Sequence, residues 1–111
     1  MKVGISTACF FMRGYTEDAI ERIAKLGVQQ CEVFLSNFQE YEKSFTDMLA
    51  KQLRDAQMQC TAVHCLTTQV EPQLFSGHGR QRQFALDTYC RILDAAHSFG
   101  AKLYVMHGTI N

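Results

Sequence analysis

Histidine and glutamate side chains lie at or near the ends of short apolar runs in this sequence. His64 closes the third of four such runs, His107 closes the fourth, and Glu32 lies inside the second. A neutral imidazole can bind a metal ion, move a proton or hold a hydroxyl group. A carboxylate inside an apolar strand is costly unless it is paired, bound to a ligand or turned to solvent. These residues are the first candidates for a functional site.

Each candidate also has a structural interpretation. A single buried histidine could equally be structural, with a backbone carbonyl as its hydrogen-bond partner. The matched pair of His64 and His107 is what favours a ligand site. For Glu32, an ion pair with a lysine or arginine of a neighbouring strand is slightly favoured over a role in binding. His97, late in a helix, and His78, in a loop, are interpreted as structural and surface residues.

The apolar runs predict four β-strands, at residues 2–7, 30–36, 60–66 and 102–107. Their apolar residues are nearly continuous rather than alternating, which is typical of parallel strands that are buried on both faces. Ligands of parallel α/β folds bind beyond the carboxyl ends of the strands. The sequence therefore predicts that the candidate residues meet at one edge of a sheet.

Helical spacing of apolar residues predicts three helices between the strands. The first helix is predicted from Thr16 as N-cap to Gly27, and the second from Ser44 or Thr46 onwards. The third is predicted from about Arg80 to Phe99, with Gly100 ending it. The predicted apolar faces include Met48 and Leu49 on the second helix and Leu93 on the third. Residues 67–79 form an irregular connection. The order β-α-β-α-β-α-β predicts an α/β fold with a parallel sheet and right-handed crossovers.

Composition excludes several classes of protein. Of 111 residues, 47% are hydrophobic, which is more than a disordered chain contains. Eleven basic residues balance eleven acidic ones, so no overall field attracts nucleic acid, and no apolar run approaches the length of a membrane helix. The five cysteines form no CxxC pair. This favours a reduced, cytoplasmic protein whose cysteines are small buried apolar residues.

Motifs for nucleotide or zinc binding are missing from the sequence. It contains no GxxxxGK[ST] loop, and Gly77-His78-Gly79 is not preceded by a predicted strand as a dinucleotide-binding loop would be. Cys60, His64 and Cys65 are too few for a structural zinc site.

Several segments together resemble one known family. These are KVGIST at 2–7, AKLGV at 24–28 leading into CEVF at 31–34, the strand ending in His64, and AAHSFGA at 95–101 before VMHG at 105–108. They resemble the opening of the xylose isomerase-like TIM barrels, which include sugar-phosphate isomerases, epimerases and the endonuclease IV branch. The resemblance covers the whole chain.

The resemblance implies that residues 1–111 are the N-terminal half of a (β/α)8 TIM barrel and an incomplete domain. Such barrels take about 250 residues, so we expect the chain to be a fragment. In the endonuclease IV branch, histidines at the ends of strands three and four bind zinc, and the matching positions are His64 and His107. In many isomerases and epimerases a divalent metal (Mn, Mg, Co or Zn) is held by residues of later strands, and the early positions line the sugar pocket.

The favoured interpretation is a sugar isomerase or epimerase that uses a metal to assist proton transfer next to a carbonyl. The resemblance then implies that His64 and His107 contact the hydroxyl groups of a sugar or sugar phosphate, or the metal. Glu32 would support the pocket, and Cys9, Phe10 and Phe11 would form its apolar wall. No catalytic residue is assigned within the chain, because the catalytic carboxylates would belong to later strands.

Three alternatives remain open at this point. The first is a zinc-dependent phosphodiesterase of the endonuclease IV branch, although residues 67–79 are not rich in basic and aromatic residues, as the DNA-contacting loops of that branch are. The second is a catalytically inactive half-barrel that forms homo-oligomers through its exposed barrel edges. The third is a doubly wound, flavodoxin-like domain, which would need a further helix after the fourth strand.

Overall fold

The computed structural model describes residues 1–65 and 68–108, which form one parallel sheet and the helices that connect its strands. The strands are β1 (Ile5–Ser6), β2 (Gln30–Leu35), β3 (Gln59–Cys65) and β4 (Leu103–Val105). The helices are α1 (Thr16–Lys25), α2 (Lys43–Asp55) and α3 (Gly79–Ser98), one in each connection. The predicted α/β fold with a parallel sheet is confirmed.

The strands lie in the order in which they occur in the chain, β1-β2-β3-β4, and each neighbouring pair is parallel. A doubly wound flavodoxin-like sheet has the order 2-1-3-4-5, because its chain reverses direction along the sheet. The observed sheet has no such reversal. Its order is that of consecutive strands in a (β/α)8 barrel.

The outer strands are shorter than the predicted segments 2–7 and 102–107. Among the described residues, β1 pairs only with β2, and β4 pairs only with β3. A strand with a neighbour on one side has fewer hydrogen bonds to extend its ladder, which explains the shorter elements. Leu66, the predicted end of the third strand, lies outside the described residues, as do Thr67 and 109–111.

The two faces of the sheet differ in what covers them. One face packs against all three helices, and its residues Cys31, Val33, Leu35, Val63 and Cys65 are fully buried. Successive side chains of a strand point to opposite faces. Glu32, Phe34 and His64 therefore lie on the other face, together with Leu103 and Val105, which are 66% and 36% exposed. No described helix covers this second face.

The ends of the helices follow local backbone chemistry. Gly27 and Gly100 adopt left-handed φ values of 76° and 75°, which confirms that they follow the ends of α1 and α3. The prediction of Thr16 as an N-cap is wrong, because Tyr15 is the cap residue and Thr16 is already helical. The Thr16 side chain is buried instead, and its hydroxyl donates to the carbonyl oxygen of Phe34 at 3.3 Å and to the Glu40 carboxylate at 3.1 Å.

Some residues that were predicted to be in the core lie at the surface. Leu49 is fully buried, but Met48 is 40% exposed and Leu93 is 50% exposed. Cys9 and Cys90 are exposed too, so the prediction of buried cysteines is wrong for these two. Cys31, Cys60 and Cys65 are buried. Burial raises the pKa of the Cys65 thiol to about 12, which keeps that thiol protonated at neutral pH.

The connection at 67–79 contains a short 3-10 helix, Glu71–Phe75, that the sequence did not predict. This helix packs against α3 through Val70, which is buried with Ala85 and Tyr89. In the described part of the chain, no helix is long and apolar enough to cross a membrane.

Candidate functional site

Polar side chains on or just after all four strands form one row that leads to the carboxyl edge of the sheet, although Glu32 lies within β2 and not at its end. Ser6 ends β1 and lies opposite Glu32 of β2, and His64 lies near the end of β3. His107 follows β4 by two residues. The parallel register brings these side chains together, as the positions of the apolar runs predicted. We refer to Ser6, Glu32, His64, His107 and the neighbouring Glu71 as the strand-end row.

Glu32 is paired at this edge by a hydroxyl and an imidazole. The Ser6 hydroxyl donates to Glu32 Oε1 at 2.7 Å, and His64 Nδ1 lies 3.6 Å from the same oxygen. The expected structural partner of Glu32 is thus present on the neighbouring strands, but it is a serine and a histidine instead of a lysine or arginine. The Glu32 carboxylate points to the face without helices, where the neighbouring strands present Ser6 and His64.

The imidazoles of His64 and His107 are in direct contact through their Nε2 atoms, which lie 2.9 Å apart. Two nitrogen atoms at this distance attract only if one carries a proton and the other offers its lone pair. The contact therefore requires one Nε2 to be a donor and the other an acceptor. The His64 side chain is 22% exposed and that of His107 is 39% exposed, so a solute can reach both rings.

Glu71 is the fifth member of the strand-end row, and sequence reasoning missed it. Its side chain is fully buried, and the backbone N–H of His107 donates to its two oxygens at 3.0 and 3.2 Å. His107 Nδ1 lies 3.5 Å from Glu71 Oε1. The available signal was an acidic residue within the long connection that follows the third strand, where functional residues concentrate.

Aromatic rings extend the row on the β1 side. The Phe34 ring centroid lies 5.0 Å from that of His64, and the Phe11 centroid lies 5.4 Å from that of Phe34. Of the predicted wall residues, Cys9 is exposed in the short 3-10 helix Thr7–Phe10, and Phe10 lies under the Arg22 guanidinium, 5.7 Å from its ring centroid. Phe11, the third residue predicted for this wall, is thus the aromatic residue of the turn that contacts Phe34 of the strand-end region.

The described residues do not contain a complete metal site. They include no group of three or more histidine, cysteine, aspartate or glutamate side chains arranged to hold a metal ion. Catalytic metal sites commonly use three protein ligands and keep one position open. His64 and His107 offer two imidazole nitrogens that face each other, which is part of such a donor set.

The amino ends of the strands form a second concave region, with different chemistry. A cleft of about 490 Å³ lies there and is lined mainly by the backbone and by amide or apolar side chains, including Gln29, Gln30, Gln57 and Gln59. Lys2 is the one ionisable side chain in its lining. In TIM barrels, catalytic residues lie at the opposite, carboxyl end of the strands. The strand-end row is therefore the better candidate site.

The protein is an α/β chain with the fold of the N-terminal part of a TIM barrel. This class is defined by the order of the strands, their parallel direction and the polar row at the carboxyl edge of the sheet. Solved structures that share this fold include sugar epimerases and an epimerase-like protein. A D-tagatose 3-epimerase-like protein has a TM-score of 0.74 and 18% identity over 97% of this chain. A D-psicose 3-epimerase in the presence of D-fructose has a TM-score of 0.69 and 17% identity over 94%. A D-psicose 3-epimerase with D-tagatose from Clostridium cellulolyticum H10 has a TM-score of 0.68 and 19% identity over 100%.

This chain spans 38%, 36% and 42% of the length of those three epimerase chains, respectively. No family model matches the sequence, and no curated protein matches it. At these levels of identity the likeness establishes the fold. The predicted fold, that of the N-terminal part of a TIM barrel, is confirmed at that level.

Proposed function

We propose that the strand-end row binds a sugar or sugar phosphate and that the chain is the N-terminal half of an isomerase- or epimerase-like enzyme. The observation that carries this proposal is the pair of imidazoles in contact at 2.9 Å, each with a carboxylate on its Nδ1 side. The fold shared with sugar 3-epimerases supports it. A cytoplasmic location is part of the same proposal.

The two Nε2 atoms suit a substrate hydroxyl because a hydroxyl both donates and accepts hydrogen bonds. One Nε2 is a donor and the other an acceptor in the observed contact. A sugar hydroxyl that enters between them can accept from the first and donate to the second. Phe34 and Phe11 add an apolar surface on one side, against which the carbon skeleton of a sugar can pack.

The proposed reaction is proton transfer next to the carbonyl of a carbohydrate. A divalent metal (Mn, Mg, Co or Zn) belongs to this proposal as a cofactor of the complete barrel, where it would polarise the carbonyl oxygen. His64 and His107 can supply two imidazole ligands to such a metal. Within this chain the proposed roles are to bind and orient the hydroxyl groups, with Glu32, Cys9 and Phe10 at the border of the pocket.

Equilibrium binding of a ketohexose to the 111-residue chain tests this proposal. We expect isothermal titration calorimetry with D-tagatose or D-fructose to show saturable binding by the wild-type chain. Binding that is absent for every ketohexose and ketohexose phosphate tested would contradict the proposed sugar site.

Self-association is a second candidate property, and the exposed edges of the sheet favour it. Leu103 of β4 is 66% exposed and Val3, just before β1, is 62% exposed, while the described strands leave one edge of β1 and one edge of β4 unpaired. Exposed apolar strand edges pair readily with another chain. We propose that the 111-residue chain forms homo-oligomers through these edges.

Size-exclusion chromatography with light scattering tests the oligomer. We expect the wild-type chain to elute as a dimer or larger species, and Leu103→Lys to shift it toward the monomer, because a lysine on an edge strand opposes pairing. Leu86→Lys is the matched control, since Leu86 is 45% exposed on α3, away from the strand edge. A wild-type chain that is monomeric at all concentrations would contradict this proposal.

A further inference from the structure

We propose that Glu71 is the positioning residue of His107. Its carboxylate holds the His107 ring with a proton on Nδ1, so that the Nε2 lone pair is presented to a hydroxyl group of the sugar. The inference rests on the proposed sugar-binding function and assigns a part of that site to a residue outside the strands.

The burial of Glu71 indicates that its carboxylate is built into the fold. The side chain is fully buried, although a charged group is rarely buried without strong partners. It is placed by the 3-10 helix Glu71–Phe75, which is anchored to α3 by the packing of Val70 on Ala85 and Tyr89. The carboxylate thus has a fixed location before any ligand arrives.

Two backbone contacts join Glu71 to the segment after β4. The N–H of His107 donates to both carboxylate oxygens, at 3.0 and 3.2 Å, across 36 positions of the sequence. These bonds fix the His107 backbone beside the carboxylate. His107 Nδ1 then lies 3.5 Å from Oε1, a distance that is long for a hydrogen bond. Catalytic hydrogen bonds are often long before substrate binds.

An ionised carboxylate selects the tautomer of the ring that faces it. The carboxylate only accepts hydrogen bonds, so it favours the tautomer of His107 with Nδ1–H and leaves Nε2 as an acceptor. The contact with His64 at 2.9 Å then has His64 Nε2–H as its donor. A carboxylate that orients a histidine in this way acts through the ring and not on the substrate.

Glu32 provides an internal comparison because it is the carboxylate next to the other ring. It lies 3.6 Å from His64 Nδ1, and its Oε1 accepts a hydrogen bond from Ser6 at 2.7 Å. Its side chain is 27% exposed, whereas that of Glu71 is fully buried. Because electrostatic attraction is stronger in a buried, low-dielectric position, we expect Glu71 to orient its histidine more strongly than Glu32 does.

Side-chain nitrogen NMR at constant pH tests the proposal on the 111-residue chain. We expect wild-type His107 to show the Nδ1–H tautomer. In Glu71→Gln, the amide NH2 can donate to Nδ1, so we expect His107 to change to the Nε2–H tautomer while the backbone spectrum remains that of a folded chain. Glu32→Gln is the matched control and should leave His107 unchanged.

The same variants separate this inference from the proposed function. We expect Glu71→Gln to weaken ketohexose binding by about 10-fold, the lower end of the losses caused by removing carboxylates that orient metal-binding histidines. Glu71→Asp keeps the charge and should retain the wild-type tautomer. A wild-type chain in which His107 carries its proton on Nε2 would overturn the inference even if Glu71→Gln failed to fold. A wild-type chain with the expected tautomer but no affinity for sugars would contradict the proposed function and leave the positioning of His107 by Glu71 supported.

Discussion

Replacement of His107 by glutamine is expected to weaken ketohexose binding by about 10-fold or more, and His64→Gln should have a similar effect. Each substitution removes one of the two Nε2 atoms that lie 2.9 Å apart and leaves the other without its partner. Loss of one partner of a partly buried hydrogen bond costs about 1–3 kcal/mol, and each 1.4 kcal/mol corresponds to a factor of ten in affinity. Calorimetric titration of each variant with the same ketohexose measures the change.

His97→Gln is the matched control for these two variants. His97 lies in the last turn of α3, exposed and away from the strand-end row. We expect the His97→Gln chain to bind ketohexose with the same affinity as the wild-type chain. If His107→Gln and His64→Gln bound ketohexose with the same affinity as the wild-type chain, the two imidazoles would not form the sugar site.

Leu49→Ala is expected to lower the free energy of unfolding by about 2–5 kcal/mol. Leu49 is fully buried on α2, where it packs with Ile23 of α1 and Val63 of β3 in the core between the helices and the sheet. Truncation of a buried leucine removes its transfer free energy and leaves a cavity. Because a small domain has a total stability of only about 5–15 kcal/mol, this loss is a large fraction of it. Urea denaturation followed by circular dichroism measures the change.

Met48→Ala is the neighbouring control on the same helix. Met48 is 40% exposed, and we expect its truncation to change the free energy of unfolding by about 0.5 kcal/mol or less. Similar losses for Leu49→Ala and Met48→Ala would contradict the assignment of the buried face of α2. That outcome would also contradict the packing of α2 on the face of the sheet opposite to the one that carries Glu32 and His64.

Most of the fold was predictable because its signals are local. Continuous apolar runs identified all four strands, and glycines at 27 and 100 identified the ends of two helices through their left-handed backbone. The errors occurred where packing decides the outcome. The sequence could not show that β1 and β4 would each pair on one side and become short, or that Thr16 would turn its hydroxyl inward to the Phe34 carbonyl and to Glu40.

The candidate site was predictable only in part. The position of His64 and His107 at strand ends could be read from the sequence, and the parallel register then brings the rings into contact. The partners of Glu32 depended on which face of the sheet it occupies, and alternation alone does not reveal which face the helices cover. Glu71 is placed by a short helix within an irregular connection, and it meets His107 through contacts 36 positions apart in the chain. Long-range pairing of this kind has no local signal in the sequence.

The central proposal is that the strand-end row binds the hydroxyl groups of a sugar. The most direct test is a ketohexose titration of the 111-residue chain in which the side-chain nitrogens of all four histidines are followed by NMR. We expect saturable shifts of His64 and His107, with His78 and His97 unchanged. The proposal would be contradicted if saturable shifts occurred only around the cleft at the amino ends of the strands and both strand-end imidazoles were unchanged.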